Sequence, residues 1–338
     1  MRKLASIQKI IAIDSIPNAD NIEVATVLGW RVVVRKNEFK VNDLVIYCEV
    51  DSLLPRTSWT EFLFKSAKDD VTKFRLKTIK LRKQISQGLI LPLKIVQDLT
   101  DNFIEVGDDV TELLGIVKYE PYIPAQLQGL IKGNFPSWLS KTDEERVQNI
   151  PDIIQKHAGK EFYITEKLDG SSMTVYINAE GEFGVCSRNL DLKETEGNAY
   201  WKIARELDLE AILRKGSNFP IALQGELIGQ GIQKNPYKLE NNQFRIFNVY
   251  MIDKFLNINE MIYFCESSKL SIVPIFKESI NLPDNVDAIL ELAKGKSLLN
   301  PKVNREGLVF RPLIEEYEHK LGRLSFKAIS NDYLLEND

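Results

Sequence analysis

Cysteine is scarce: Cys48, Cys186 and Cys265 form an odd, scattered set with no C-x-x-C spacing. That excludes a disulfide framework and a cysteine-built zinc site, and fits a reducing compartment. Long apolar runs are also missing. No stretch approaches the ~18 apolar residues of a spanning helix, and the opening residues lack the apolar segment of a secretory leader. Positive charge is not in excess either: 44 basic against 48 acidic residues leave −4. A polyanion would therefore have to meet a local basic patch rather than a bulk attraction. Repeats and low-complexity tracts are absent as well. These absences lead us to expect a soluble, cytoplasmic protein without a membrane partner.

What is present suits two folded domains, because 338 residues with 44% hydrophobic content can bury more than one core. The first hundred residues read as short strands with turn punctuation. The runs 23–28, 30–35, 45–50 and 88–93 are β-branched or apolar and are separated by Gly29, Asn42-Asp43 and similar signals. Such spacing predicts a small β-barrel rather than a βαβ unit. A basic run, 73–83, reads as one strand with Lys73, Arg75 and Lys77 on the face opposite Phe74 and Leu76. Residues 116–140, with Pro121, Pro124, Gly129, Gly133 and Pro136, read as a linker whose apolar residues pack somewhere.

Thr142-Asp143-Glu144-Glu145 has the form of a capping box and predicts a helix start. Beyond about residue 160, strand-like runs alternate with two helical stretches. One is near 196–214; the other is N-capped by Asp284 and stopped at Gly295. Strands are expected over 162–165, 174–178, 183–187, 221–227, 244–251, 307–311 and 324–329.

The chemistry begins at Glu166-Lys167-Leu168-Asp169-Gly170, directly after a strand. It places an amine, a carboxylate and a glycine-permitted turn in one small space. A free lysine amine, with a pKa near ~10.4, is a poor nucleophile at neutral pH. Enclosure and a nearby cation would favour its neutral form. Taken alone, the segment also describes a strand ending in an Asp-Gly turn. Its company is more specific: Ser187-Arg188-Asn189, Gly225-Glu226, Phe244-Arg-Ile-Phe247-Asn248, Arg305-Glu306-Gly307 and Ser325-Phe326-Lys327 follow in order.

In that order the segments resemble the nucleotidyltransferase motifs of the covalent polynucleotide ligase and RNA-capping superfamily over about residues 140–335. The resemblance implies that Lys167 attacks the α-phosphate of ATP. It implies that Asp169, Glu226 and Glu306 hold Mg2+ or Mn2+, and that Phe247 stacks on the base. Glu166 and Arg188 would contact the nucleotide, and Lys327 would clamp phosphate in the transition state. Two departures stand out. Ser325 occupies the first position of a common Lys-x-Lys, and Asn248 stands where Asp often follows the stacking Phe.

Domain order narrows the resemblance. Ile16-Pro-Asn-Ala-Asp20-Asn-Ile-Glu-Val is similar to tRNA-binding OB modules, and it precedes the lysine motif. DNA ligases and capping enzymes usually place their barrel after it, and Lys327 lies too near the C-terminus for that. The chain thus resembles the ATP-dependent RNA ligase family known from Deinococcus and Naegleria. Within the 141–149 stretch, Lys141 becomes a further nucleotide contact by that likeness.

The implied fold is α+β. An OB-type β-barrel over residues 1–115 would bind RNA, 116–140 would link, and 141–338 would be the adenylyltransferase. The latter is an ATP-grasp-like ligase domain of antiparallel sheets with flanking helices. The implied activity joins RNA 3′-OH and 5′-phosphate ends, at nicked duplexes or broken ends, through lysyl-AMP and an adenylylated RNA 5′ end. No obligate protein partner is expected. Two other classes stay open: a DNA-preferring or cap-forming nucleotidyltransferase, and a non-catalytic tRNA- or RNA-binding adaptor. Deleting residues 1–115 is expected to reduce sealing more than lysine adenylylation; a folded truncate losing both equally would refute that division.

Overall fold

The computed structural model describes residues 3–66, 68, 70–119, 130–216, 220–251 and 253–337. The chain forms two compact units. One comprises Met1–Tyr122, Gln148–Pro151 and Leu334–Asp338; the other comprises Ile123–Val147 and Asp152–Tyr333. No helix among the described residues is long and apolar enough to cross a membrane.

The first unit is a curled antiparallel sheet of the OB type. Strands β1 (Ala5–Ser15), β2 (Ile22–Val27), β3 (Trp30–Arg35) and β4 (Leu44–Cys48) are followed by β5 (Ser52–Pro55), β6 (Lys73–Arg75), β7 (Thr78–Leu81), β8 (Gln84–Gln87) and β9 (Leu89–Pro92). The main sheet runs β3-β2-β1-β4-β9. Long β1 serves two neighbours: residues 10–15 pair with β2 and residues 5–9 with β4, with an irregularity between Ile10 and Ala12. An extra residue at such a point bends the strand and lets one sheet curl around its own core. The inward faces follow alternation, with Trp30, Val32 and Val34 buried against Tyr47 and Ile90. Helix α1 (Lys94–Gln97) and strand β10 (Val117–Lys118) close this part, β10 pairing with β5.

The basic run does not form one strand. Leu76 is buried, its N–H donating to the Ser52 carbonyl, and this separates β6, which joins β5, from β7, which forms a hairpin with β8. Arg75 turns to an ion pair with Asp51 at 2.7 Å and lies 4.0 Å over the Tyr119 ring. Lys73 and Lys77 are exposed on either side of buried Leu76, as alternation predicts, but the run is split between two strand pairings rather than forming one strand.

The second unit holds two larger sheets. Strands β11 (Ile131–Asn134), β12 (Glu145–Arg146), β13 (Glu161–Lys167), β14 (Ser171–Ile177), β15 (Phe183–Cys186), β16 (Leu190–Leu192), β17 (Ile221–Ile228), β18 (Gln243–Met251), β19 (Lys254–Phe255), β20 (Ile275–Asn281), β21 (Gly307–Pro312), β22 (Tyr317–Glu318), β23 (Gly322–Arg323) and β24 (Phe326–Ile329) occur in that chain order. A seven-stranded sheet runs β11-β16-β15-β14-β17-β18-β19 and a five-stranded one β12-β24-β21-β13-β20. Every neighbouring pair is antiparallel except β12 with β24. Phe310 and Phe326 stack at 5.3 Å beneath the second sheet.

Helices α2 (Pro151–Lys156), α3 (Ala199–Glu206), α4 (Leu209–Gly216), α5 (Ile258–Ser267), α6 (Val286–Ala293) and α7 (Asn331–Asn337) complete the chain. The stretch near 196–214 is thus two helices, separated where Asp208 adopts φ 49°. The last helix expected is capped by Asn285 rather than Asp284, the Asn285 side chain accepting the Ala288 N–H at 2.9 Å. Helix α5 was not expected, although Asn257-x-x-Glu260 has capping-box spacing and Glu260 accepts the Asn257 N–H at 2.8 Å.

No helix starts at Thr142. Its hydroxyl lies 2.7 Å from the Ser172 hydroxyl, and Glu145 belongs to β12. Tertiary partners claim the acidic residues that looked like caps. Of the expected linker, Pro121, Pro124 and Gly129 lie outside the described residues. Its flanks are strands β10 and β11, and Phe135 and Leu139 are buried with Tyr176 and Cys186. Phe310→Ala is expected to cost about 3–5 kcal/mol, read as a lower urea midpoint, because Phe326, which also packs on Phe162, loses its stacked partner.

Candidate active site

The two sheets of the second unit face each other across a cavity of about 430 Å³. Lys167 ends β13 and pairs with Gly307, the first residue of β21, so Glu306 arrives beside it. Gly307 has a steric reason to be glycine: a Cβ there would stand 2.2 Å from the Ala328 carbonyl oxygen. The Lys167 amine donates to Glu306 Oε1 at 2.7 Å. Glu226 enters from β17, opposite Ser172 on β14, and Asp169 from the turn between β13 and β14.

Two tyrosines hold that turn. Tyr237 accepts the Asp169 N–H at 2.7 Å, and Tyr333 donates its hydroxyl to Asp169 Oδ2 at 2.7 Å. Gly170 allows the turn to pass close to β17, because a Cβ would stand 2.5 Å from the Leu227 carbonyl oxygen.

Burial and the surrounding carboxylates act on Lys167 in opposite directions. Burial pushes the Lys167 amine toward neutrality, but Glu306, Glu226 and Asp169 together outweigh it and hold the amine charged, above its ordinary range. Enclosure alone therefore does not make this lysine a nucleophile. The carboxylates carry the opposite strain: burial pushes Glu226 up to about 8 despite the offsetting Lys167 charge, and pushes Glu306 up as well. Three acidic oxygens gathered in an enclosed space are donors suited to a hard divalent cation. Among the described residues, no three His, Cys, Asp or Glu side chains already stand at metal-ligand spacing, so these carboxylates would have to draw together around a cation. The three carboxylates instead surround the Lys167 ammonium, which supplies part of the positive charge they need.

The far wall carries the other cations. Arg188 Nη2 lies 2.7 Å from Asp143 Oδ2, and Lys327 Nζ lies 3.1 Å from Asp143 Oδ1. Phe247 on β18 and Val273 provide apolar lining. The Arg311 guanidinium fixes this region: Nη1 donates to the Phe247 carbonyl at 3.0 Å, Nε to Ser325 Oγ at 3.0 Å and Nη2 to Glu144 at 2.8 Å.

Of the residues expected from sequence, the cavity is lined by Glu166, Lys167, Asp169, Arg188, Glu226, Phe247, Glu306 and Lys327. Lys141 does not line it; its amine bonds Asn189 Oδ1 at 3.2 Å on an exposed surface. Glu166 turns its buried carboxylate away, accepting the Leu298 N–H at 2.6 Å, and burial pushes its carboxyl up.

Both departures from the superfamily pattern have local partners. Ser325 accepts from Arg311, and Asn248 donates to Gln224 Oε1 and accepts from Arg323, each at 2.8 Å. Sequence reasoning missed Asp143, Glu144, Arg311, Tyr237 and Tyr333. The signal for Arg311 was present, an arginine ending an otherwise apolar strand, but its partner is 167 residues away.

Burial pushes Glu144 up, yet Arg311 and Arg323 more than offset it and hold the carboxyl below its ordinary range. Its stabilisation is therefore present above the ordinary carboxyl pKa of about 4.3 and lost as pH falls below it. Glu144→Ala leaves the nearly buried Arg311 short of its counter-ion and should cost about 3–5 kcal/mol by urea unfolding. Glu144→Gln should flatten the loss of stability below about pH 4.3.

An OB-fold domain model matches residues 4–93 and an RNA ligase model matches residues 160–329. A search of curated proteins gives no match. Among solved structures, an apo mutant of Naegleria gruberi RNA ligase is 41% identical with TM-score 0.90, covering 99% of this chain and 98% of that one. A mutant of the same ligase with ATP and Mn is similar at 41% identity and TM-score 0.89, covering 99% of each chain. A mutant with AMP and Mn matches at 41% identity and TM-score 0.90, with the same coverage.

Proposed function

The chain belongs to the RNA ligase family, and we propose that it seals RNA ends through an adenylate carried on Lys167. ATP is the nucleotide substrate, as its solved relative with ATP and Mn supports. The observation that carries the site assignment is the convergence of one amine and three carboxylates in an enclosed cavity.

In the first step Lys167 gives its ammonium proton to Glu306, which already accepts its hydrogen bond, and the neutral amine attacks the α-phosphorus. A P–N bond forms, the bond to the β-phosphate oxygen breaks, and pyrophosphate leaves. The adenylyl group then passes to the 5′-phosphate oxygen of RNA, and Lys167 recovers its amine. A 3′-hydroxyl finally attacks that activated 5′ phosphorus, forming the phosphodiester and releasing AMP.

Each step places negative charge that this chain's own cations meet. Arg188 and Lys327 face the phosphates, and Lys327 stabilises charge on the transferring group. Phe247 offers an apolar ring for the base, its position held by the Arg311 contact to its carbonyl. Asp169, Glu226 and Glu306 would hold a divalent cation, Mg2+ or Mn2+, which when bound supplies neutralisation of their charge and of the phosphate's. The two tyrosines on Asp169 orient that carboxylate.

Residues 1–115 are assigned the RNA, whose backbone they would hold by salt-sensitive contacts from exposed lysines such as Lys73, Lys80 and Lys83. Residues 141–338 are assigned the chemistry. Nicked duplexes and broken ends are the substrates proposed, in a reducing cytoplasmic setting suited to the chain's sparse cysteine.

The test is label transfer. Purified protein with α-labelled ATP and a divalent metal should carry label that survives denaturation, and Lys167→Ala should lose more than ~10³-fold of it. Label from GTP would favour cap formation, and no label from either nucleotide would favour an RNA-binding adaptor.

A further inference from the structure

We propose that Asp143 is a built-in competitor of phosphate, whose carboxylate takes the anion seat between Arg188 and Lys327 and must be displaced by the nucleotide. The inference rests on the reading that these two cations receive phosphate. Each Asp143 oxygen takes one of them, Oδ2 meeting Arg188 at 2.7 Å and Oδ1 meeting Lys327 at 3.1 Å. Two oxygens of one phosphate group would use the same pair of cations in the same way. The cations come from different sheets, Arg188 from the segment after β15 and Lys327 from β24. Their like charges converge here on a single carboxylate.

Asp143 reaches this seat because its neighbours are anchored. Thr142 bonds Ser172 and Glu144 is held by Arg311, so the backbone between them delivers the intervening side chain over the cavity. Those same anchors leave side-chain rotation as the way out. Rotation is cheap for Asp143, which is 37% exposed and can exchange its partners for water. A phosphate entering the seat meets a carboxylate of like charge, and the repulsion favours that exchange.

The competition acts on bound substrate and transition state alike, so removing it should change KM rather than kcat. It also grades ligands by charge. A triphosphate or pyrophosphate displaces the carboxylate more readily than a monophosphate does.

The experiment measures binding of inorganic tripolyphosphate to the full-length protein by calorimetry. Wild type is compared with Asp143→Asn, Asp143→Ala and Asp152→Asn. Asp152 pairs with exposed Lys320 at 3.0 Å and controls for the altered net charge. Both Asp143 variants should bind about tenfold more tightly, equivalent to ~1.4 kcal/mol. The Asp152 variant should not, and the fall in the KM for ATP should appear in the Asp143 variants only. Unchanged or weaker tripolyphosphate binding in both would overturn the proposal and make Asp143 a scaffold that holds the cations in place. Tripolyphosphate binding reads the seat without chemistry. Failure of wild type to form lysyl-AMP would thus count against the ligase reading alone.

Discussion

The antiparallel ladder between β13 and β21 sets Lys167 opposite Gly307, and nearly everything in the site is referred to that register. The residue just before β21, Glu306, thereby meets the amine. One strand beyond, β24 brings Lys327 to the same cavity. A slip of one residue would send every one of these side chains to the other face of the sheet. The neighbouring strand β24 can pack so closely on β21 only because Gly307 has no Cβ to meet the Ala328 carbonyl. A backbone requirement and a chemical one thus share adjacent residues.

Around this register the cavity is organised as two clusters of opposite charge surplus. Near β13, three carboxylates surround one ammonium, and the balance holds Lys167 charged while burial raises Glu226 and Glu306. On the other wall, one carboxylate joins two cations. The first cluster has surplus negative charge and the second surplus positive charge, a division suited to a cation on one side and a polyphosphate on the other. Arg311 does not belong to either cluster. Nearly buried and bonded to Glu144, Ser325 and the Phe247 carbonyl, it ties the apolar lining to the segment that carries Asp143.

Local signals were legible where a residue's environment was local. Alternation predicted β2, β3, β17 and β18 to within two residues at each end, and apolar spacing found the helical stretches at 199–216 and 286–293. It failed where distant partners outcompeted a local rule. Thr142-Asp-Glu-Glu145 obeys the capping pattern, but Ser172, Arg188, Lys327 and Arg311 take three of those side chains, and each partner is at least 30 residues away. The 73–83 run keeps its alternation around buried Leu76, but pairing splits it, β6 joining β5 and β7 turning back on β8. Tyr237 and Tyr333 carry no local sign that they meet at Asp169, because two loops and a helix bring them there.

The ordered motifs, spaced over residues 166–327, were enough to name the family, and the lysine and carboxylates they single out line one cavity. A lysine followed by x-Asp-Gly after a strand, with a glutamate before a glycine-led strand, states its chemistry in residue types alone. Tertiary structure decided the charge state and the geometry. Whether Lys167 is held protonated, where Asp143 places its carboxylate and what Ser325 and Asn248 do all depend on distances between strands remote in the chain. Electrostatic and hydrogen-bond energies fall off over a few ångströms, and separation along a sequence does not record those ångströms.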